Sequence, residues 1–530
     1  VTNPATDLKK SGSGSDLDPK RWLALGVIGL AQLMVVLDAT IVNVSLPTAG
    51  RALHIPQPSW QWMITAYALP FGSLLLLGGR IADFLGRKRV LMVSLAGFAA
   101  ASALGGAAQN ELMLFSARGL QGVFAALLAP AALSLLTVTF RDPNERAKAF
   151  GVFGAIAGGG AAVGLVLGGI LTEYASWRWC LFVNIPISLI GIAAGSRLLT
   201  ESKASSTGNY DVPGALMATI GLGSLVWGFT QAASTSWGVP GTYLWLVLGV
   251  VLLVAFVLFE QRTAHPLLPM RILLDRNRAG AYLVGLFVGV GLFAMFLFLT
   301  YFLQIVKGYT PIKTGLAFLP FSAGVIVGAG VGSQLVLKLG AKIMVPLGLA
   351  MSALGLFWLT GLAIDSTYSG RILPAIIVMS IGMGFIFMST TNVALVGVSR
   401  DDSGVASAMV NTTQQIGGSL GTALLTTFFA SAAAVWATAR HSADVYGAAA
   451  GAAGINTPDG VAALLQSQSK PGEPAPVTAA KLLFRQSQIH GYVTAFWWGA
   501  GFFVLALVIS LILINAGKQT ATVGDPVLAS

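Results

Sequence analysis

The chain has 530 residues, 55% hydrophobic and 10% charged, with a net charge of +11 and a mean hydropathy of +0.78. A soluble domain carries about 25% charged residues. That class is therefore excluded, and so is a transmembrane barrel, whose alternation over roughly ten residues is missing.

The charges cluster between apolar runs of roughly 20 residues, the length of a bilayer-spanning helix. The single cysteine, Cys180, excludes an internal disulfide and a cysteine-cluster metal site. The positive charge fits basic loops on one membrane face, so no nucleic-acid partner and no metal is expected.

Residues 1–20 are polar, with Lys9, Lys10 and Lys20, and read as a cytoplasmic tail without a cleavable signal. Val1 reads as a directly translated alternative start codon, which points to a bacterium. Fourteen apolar runs then predict spans over roughly 22–47, 59–79, 90–108, 111–137, 148–172, 178–199, 213–233, 241–261, 279–306, 313–336, 343–363, 371–396, 404–430 and 490–516. They divide as six plus two plus six. A six-helix bundle covers 21–199, a linker with an inserted helix pair covers 200–277, a second six-helix bundle covers 278–516, and 517–530 is a tail. Residues 431–489, rich in Ala, Gly and Ser, are expected to form a long external loop, partly helical or mobile. With the N-terminus in the cytoplasm, twenty-one of the 31 Lys and Arg fall in inner segments, so both termini are expected there.

The first span holds one ionisable side chain between Trp22 and Leu46, Asp38, about 24 Å from the Trp22 end at 1.5 Å per residue. A membrane-embedded acid costs roughly 2.5–3.5 kcal/mol to insert, which makes it a functional candidate; the competing reading is a carboxylate that only ties helices together. Arg118 lies about six residues into the fourth span, at a depth that matches Asp38. An ion pair is one reading of this match, and snorkelling of Arg118 to the outer interface is the other. Gln121 shares a helix face with Arg118.

The short loop from Gly79 to Arg89 is dense in charge. Gly79 and Gly86 allow a tight turn, and Asp83 can cap a helix or pair with Arg87 or another inner arginine. The loop is then either a gate latch between bundles or, with Lys88, only a topology signal. It recurs in degraded form at 333–342, which suggests two related halves; Leu337 replaces the acid there. In the fifth span Gly160, Gly164 and Gly168 form one small-residue stripe, with Gly169 beside it, suited to close helix packing or a hinge. No strand or Lys-Ser/Thr accompanies these glycines, so they form no nucleotide loop, and ATP-driven transport is not expected.

Asn43, Gln121, Asn392, Asn411, Gln414 and Gln415 supply polar groups at membrane depth for a cavity that binds an amphipathic compound. Phe287, Phe293, Phe296, Phe298 and Phe302 are either walls of that cavity or ordinary core and lipid-facing residues. Trp177, Trp179, Trp237 and Trp245 lie near span ends, as interfacial aromatics do.

Together these stretches resemble the major facilitator superfamily, in its fourteen-span drug:proton antiporter branch (EmrB/QacA type). The segment Leu37-Asp38-Ala39-Thr40-Ile41-Val42-Asn43-Val44-Ser45-Leu46-Pro47 is similar to that branch's first-helix motif. Gly79, Asp83, Gly86, Arg87 and Lys88 resemble the superfamily loop motif. Residues 114–126, with Arg118, Gln121 and Gly122, resemble the fourth-helix motif implicated in proton coupling, and 160–169 the fifth-helix antiporter motif. Trp177-Arg178-Trp179 with Asn184 and Pro186 also fits. Leu165 departs from the antiporter motif, which has proline at that position.

The resemblance implies an all-α polytopic membrane protein with the major facilitator fold, fourteen transmembrane helices and no enzymatic activity. It further implies proton-coupled efflux of amphipathic drugs by alternating access from a bacterial cytoplasmic membrane. No cofactor is expected, the proton gradient being the energy source, and the chain is expected to act as a monomer. Asp38 would exchange a proton for substrate, Arg118 would tune its proton affinity, and Asp83 and Arg87 would hold the cytoplasmic gate. Leu165 keeps open a proton-coupled uptake symporter for a metabolite, and within export the dedicated secretion of one antibiotic competes with a broad multidrug pump.

Overall fold

The structure, a computed structural model, describes residues 20–56, 59–140, 142–203, 211–234, 238–263, 268, 270–395, 398, 403–440 and 475–516. Helix stands at each of the fourteen expected positions. The first six are α1 (Arg21–Ala52), α2 (Trp62–Leu85), α3 (Arg87–Gly106), α4 (Glu111–Thr139), α5 (Pro143–Tyr174) and α6 (Trp179–Leu198). The inserted pair is α7 (Val212–Ser234) and α8 (Pro240–Glu260). The last six are α9 (Arg276–Val306), α10 (Pro311–Val336), α11 (Ala341–Leu359), α12 (Tyr368–Ala394), α13 (Ser403–Arg440) and α14 (Ala475–Leu513). Twelve are long and apolar enough among the described residues to cross a membrane. Helix α2 meets the same test as a pair of segments bent by 59°, and α5 contributes the shorter apolar stretch Gly159–Tyr174.

Local chemistry sets the boundaries. Asn110 caps α4 by accepting from the Met113 N–H at 2.9 Å. Asp275 caps α9 through Arg278 N–H at 3.0 Å, and Thr310 with Pro311 opens α10. The turns α2–α3 and α10–α11 each use one glycine with positive φ, Gly86 at 108° and Gly340 at 79°. These two positions correspond in the sequence echo, so the weak repeat carries a shared backbone conformation. Helices α13 and α14 run well into the stretch expected to be a loop; of it, 441–474 lies outside the described residues.

The packing repeats between the halves. In the first, α1 lies on α5 and α6, α2 on α4, and α3 on α4 and α6. In the second, α9 lies on α13 and α14, α10 on α12, and α11 on α12 and α14. The halves meet along two seams related by the same correspondence, α2 with α13 and α5 with α10. Helix α7 lies over the first seam, against both α2 and α13, and α8 packs on α7.

One end of the molecule, where α1 begins, is called the near end here, and the other the far end. The core is divided along that axis. The near half of the first six helices has its own apolar cluster around Ile28, Met34, Phe98 and Phe140. The far half, around Ile41, Trp60, Ile64 and Leu165, is continuous with the core of the last six helices around Phe298 and Phe302.

Candidate functional site

Asp38 and Arg118 form a 2.6 Å ion pair, with side chains 0% and 2% exposed. Two further donors converge on the carboxylate. Gln121 Nε2 and Asn184 Nδ2 both donate to Asp38 Oδ1, at 3.0 and 2.9 Å, while Arg118 Nη1 donates to Oδ2. Arg118 also donates from Nε to the Met63 carbonyl at 2.9 Å and from Nη1 to Gln121 Oε1 at 2.9 Å. Its guanidinium lies 4.5 Å from the centre of the Tyr67 ring. Gln121 Nε2 donates to Ser102 Oγ as well, at 2.8 Å. Helices α1, α2, α3, α4 and α6 thus each contribute to one buried network.

A buried charge without partners costs several kcal/mol, and removing one member of such a pair costs about 3–5 kcal/mol. Here each charge has an opposite charge and further hydrogen bonds. The carboxylate is therefore held by a cation and two amide donors in place of water. This arrangement ties five helices to one buried ion pair.

Sequence depth brought Asp38 and Arg118 together, but it did not find the whole network. Gln121 was expected to face a cavity; it is 0% exposed and its amide serves Asp38, Arg118 and Ser102. Asn184 enters the sequence reading only through the family resemblance, and Ser102 and Tyr67 have no part in it. The available signal was a lone Asn in the apolar sixth run.

The glycine stripe packs against the same stretch of α1. A Cβ on Gly160 would lie 3.1 Å from Leu33, one on Gly164 would overlap Thr40 Oγ1, and one on Gly168 would lie 2.8 Å from the Ile41 carbonyl. Gly169 faces the other half: its Cβ would lie 2.6 Å from Ile312 Cα of α10. Leu165 is fully buried, and its carbonyl lies against Gly315 of α10. Helix α5 is therefore clamped between α1, which carries Asp38, and the opposite half.

In the α2–α3 turn Asp83 accepts from Arg87 Nε and Nη2 at 2.9 and 2.7 Å. Glu201, just after α6, accepts from the Lys88 and Arg89 N–H groups, both at 3.1 Å, and so caps α3. Lys88 Nζ reaches the Ser196 carbonyl at 2.8 Å. These bonds brace the turn within its own half. The second half repeats the brace, with Lys342 Nζ on Asn515 Oδ1 at 2.8 Å.

Of the remaining cavity candidates, Asn43 is buried and donates to Ala39 O of its own helix. Gln415 packs across the seam, 3.2 Å from a Cβ placed on Gly72. Gln414 lies against Gly285 and Gly289 of α9. Asn392 and Gln414 are half-buried and Asn411 is exposed. Phe298 and Phe302 are buried in an aromatic core with Phe429, Tyr492 and Phe496, whereas Phe287 is half-buried and stacks on Phe502. Trp177 is buried, Trp179 and Trp245 are exposed, and Trp237 lies outside the described residues. In the inserted pair Glu260 is buried and accepts from Leu268 N–H at 3.2 Å.

Contacts between the halves close the far end. Gln304 Nε2 donates to the Val44 carbonyl at 2.8 Å, Ile312 N–H donates to Glu173 Oε2 at 3.0 Å, and the Trp60 and Tyr301 rings meet edge to face at 5.8 Å.

A repeated six-helix packing, an inserted pair and one buried acid–arginine network define a membrane transporter of the alternating-bundle kind. The Major Facilitator Superfamily pattern matches residues 28–422, and the chain belongs to that family, in its fourteen-span drug:proton antiporter branch. It is a multi-pass membrane protein of a transporter family, not an enzyme. It is 43% identical over 508 residues to the puromycin resistance protein pur8 of Streptomyces alboniger, covering 95% of this chain and 93% of that one. It is 36% identical to the cephamycin export protein CmcT of Amycolatopsis lactamdurans, over 76% of this chain and 84% of that one. Its fold is similar to a crystal structure of a bacterial homologue of the human lysosomal transporter Spinster, in an inward-facing and unoccupied conformation. The TM-score is 0.59 at 15% identity, over 93% of this chain and 98% of that one.

Proposed function

We propose that this chain is a proton-coupled exporter of amphipathic small molecules that confers antibiotic resistance from a bacterial cytoplasmic membrane. The observation that carries the reading is the Asp38–Arg118 network, at 2.6 Å and fully buried, in a chain alike to a resistance protein over nearly its whole length. The near end faces the cytoplasm, with both termini there, and one chain suffices for transport. The halves 21–199 and 278–516 rock about the α2–α13 and α5–α10 seams, and 200–277 carries the inserted pair. Protonation of Asp38 removes the charge that pairs with Arg118, which frees α1 and α4 to shift while substrate moves. Asn43, Asn392, Asn411, Gln414 and Gln415 serve the cavity, and Asp83, Arg87 and Lys88, in the turn that Glu201 braces through the Lys88 and Arg89 N–H groups, form the near-end gate.

The names of the relatives favour export over uptake, and two of them each name one compound. That supports dedicated secretion of, or resistance to, one antibiotic as the second reading. The test is a substrate panel in inverted membrane vesicles. At least one compound, puromycin first, should accumulate only with an inward-acid pH gradient. Accumulation without the gradient, or none for any compound, would reject the reading.

A further inference from the structure

Helices α2 and α13 pack together, and four polar side chains on the helix faces that carry Gly72 and Gln415 have no hydrogen-bond partner in the protein. Gln61, which precedes α2 with helical backbone angles, lies four residues before Thr65 and eleven before Gly72, so all three share a face of the helical spiral. On α13, Gln415, Ser419 and Thr426 have the same spacing and share a face as well. Gly72 and Gln415 touch, which sets the two stripes together. The helices run in opposite chain directions, so from that contact both stripes proceed toward the far end.

The other faces are already occupied. Tyr67, Pro70 and Gly78 of α2 meet α4, and Gln414, Gly417 and Gly418 of α13 meet α9. Gln61 and Thr65 are 1% and 0% exposed, and Ser419 and Thr426 are 2% and 7% exposed. Yet both amide atoms of Gln61 and the hydroxyls of Thr65, Ser419 and Thr426 find no hydrogen-bond partner in the protein. Burying such groups unpaired is unfavourable, and aliphatic residues of the same shape would fill this closed seam better. The seam is also shielded from lipid. Helix α7 backs it, with Thr219 Oγ1 donating to the Ser73 carbonyl at 3.2 Å and Trp227 packed on Trp62 at 5.3 Å.

We propose that these stripes are a ligand-contact track on the way out. When the halves part at the far end, Gln61, Thr65, Ser419 and Thr426 line the opened cleft and hydrogen-bond the departing substrate. None of the four is charged, so the track suits neutral carbonyl, amide and hydroxyl groups on an amphipathic molecule, not an ionic headgroup. The assignment rests on the export reading above and adds to it the exit path and the chemistry met there.

The test uses Thr65→Val and Ser419→Ala in the full chain. Each should leave the thermal unfolding midpoint unchanged or raised, because the closed state loses an unpaired group. Each should slow gradient-driven puromycin transport several-fold. In parallel, Thr65→Cys and Ser419→Cys are labelled with a charged maleimide in right-side-out and inverted vesicles, against the parent chain with its buried Cys180. Labelling should exceed the parent rate several-fold under a pH gradient with puromycin. A lowered midpoint in Thr65→Val and Ser419→Ala would show that the hydroxyls are already bonded in the closed seam and would overturn the proposal. Labelling at the parent rate in both vesicle orientations would overturn it too. If the parent moves no puromycin, the substrate part of the export reading falls separately, and labelling under the gradient alone still decides whether the seam parts.

Discussion

Asp38→Asn removes one charge while keeping the side chain's shape, and the structure says what must follow. Three donors point at the carboxylate: Arg118 Nη1 on Oδ2, and Gln121 and Asn184 on Oδ1. An amide offers one acceptor oxygen and one donor group. If its NH2 faced Arg118 it would oppose a cation. The better choice is to face Gln121 and Asn184. Asn184 can accommodate this by rotating its amide, because its Oδ1 has no partner. Gln121 cannot rotate without losing its bonds to Arg118 and Ser102, so one donor–donor clash remains. Arg118 keeps the Met63 carbonyl and the Tyr67 face. The loss should therefore fall at the low end of the 3–5 kcal/mol range for breaking a buried pair, about 3 kcal/mol. Arg118→Met in the same chain removes the stranded cation and should recover part of that loss. The assay is thermal unfolding in detergent, followed by tryptophan fluorescence, for the parent, Asp38→Asn and the double variant. An Asp38→Asn chain as stable as the parent, or more stable than the double variant, would refute this reasoning.

Three other outcomes follow from the same geometry. Gly168→Ala drives a Cβ toward the Ile41 carbonyl of α1 and should destabilise by about 1–3 kcal/mol. Gly159→Ala, with nothing within 4 Å of its Cβ, should stabilise by about 0.5–1 kcal/mol, as read by unfolding midpoints. Gly86→Ala combines a left-handed φ with a Cβ 2.6 Å from Glu201 Oε1; it should cost about 1–2 kcal/mol, and proteolysis should then cut faster near Arg87. Glu145, in the polar first turn of α5 before its apolar stretch, bonds Arg21 at 2.8 Å through two nitrogens, and this pairing holds its carboxyl below the usual range. A lowered folded value means that the pair's stabilisation is full above the unfolded carboxylate range and fades as pH falls through the folded value. Glu145→Gln should accordingly be less stable than the parent at neutral pH and converge with it in acid.

Much of this architecture could be read along one dimension. Apolar run lengths placed the helices, and counting residues gave Asp38 and Arg118 matching depths. The Gly86 and Gly340 echo marked equivalent turns. Depth, however, fixes height in the membrane and not the direction a side chain faces around a bundle. That is why Gln121 read as a cavity residue when it lies inside the ion-pair network, and why Asn184 had no visible target. Glu201 read as linker because its bond to the start of α3 spans more than a hundred residues. The inserted pair carries only scattered polar residues such as Thr219, so the place of α7 against α2 and α13 could come only from the packing. Composition also understated α13 and α14, whose Ala-rich ends continue as helix beyond their apolar cores.

The account turns on Asp38 as the carrier of the proton. The most direct measurement is substrate-driven proton movement in proteoliposomes, read with a pH-sensitive dye as puromycin is added down its gradient. The parent should alkalinise the lumen in proportion to puromycin entry, because an antiporter moves protons out as puromycin moves in. Asp38→Asn, reconstituted at the same protein level, should give no proton signal, even if some puromycin exchange persists. An undiminished proton signal from Asp38→Asn would contradict the central claim.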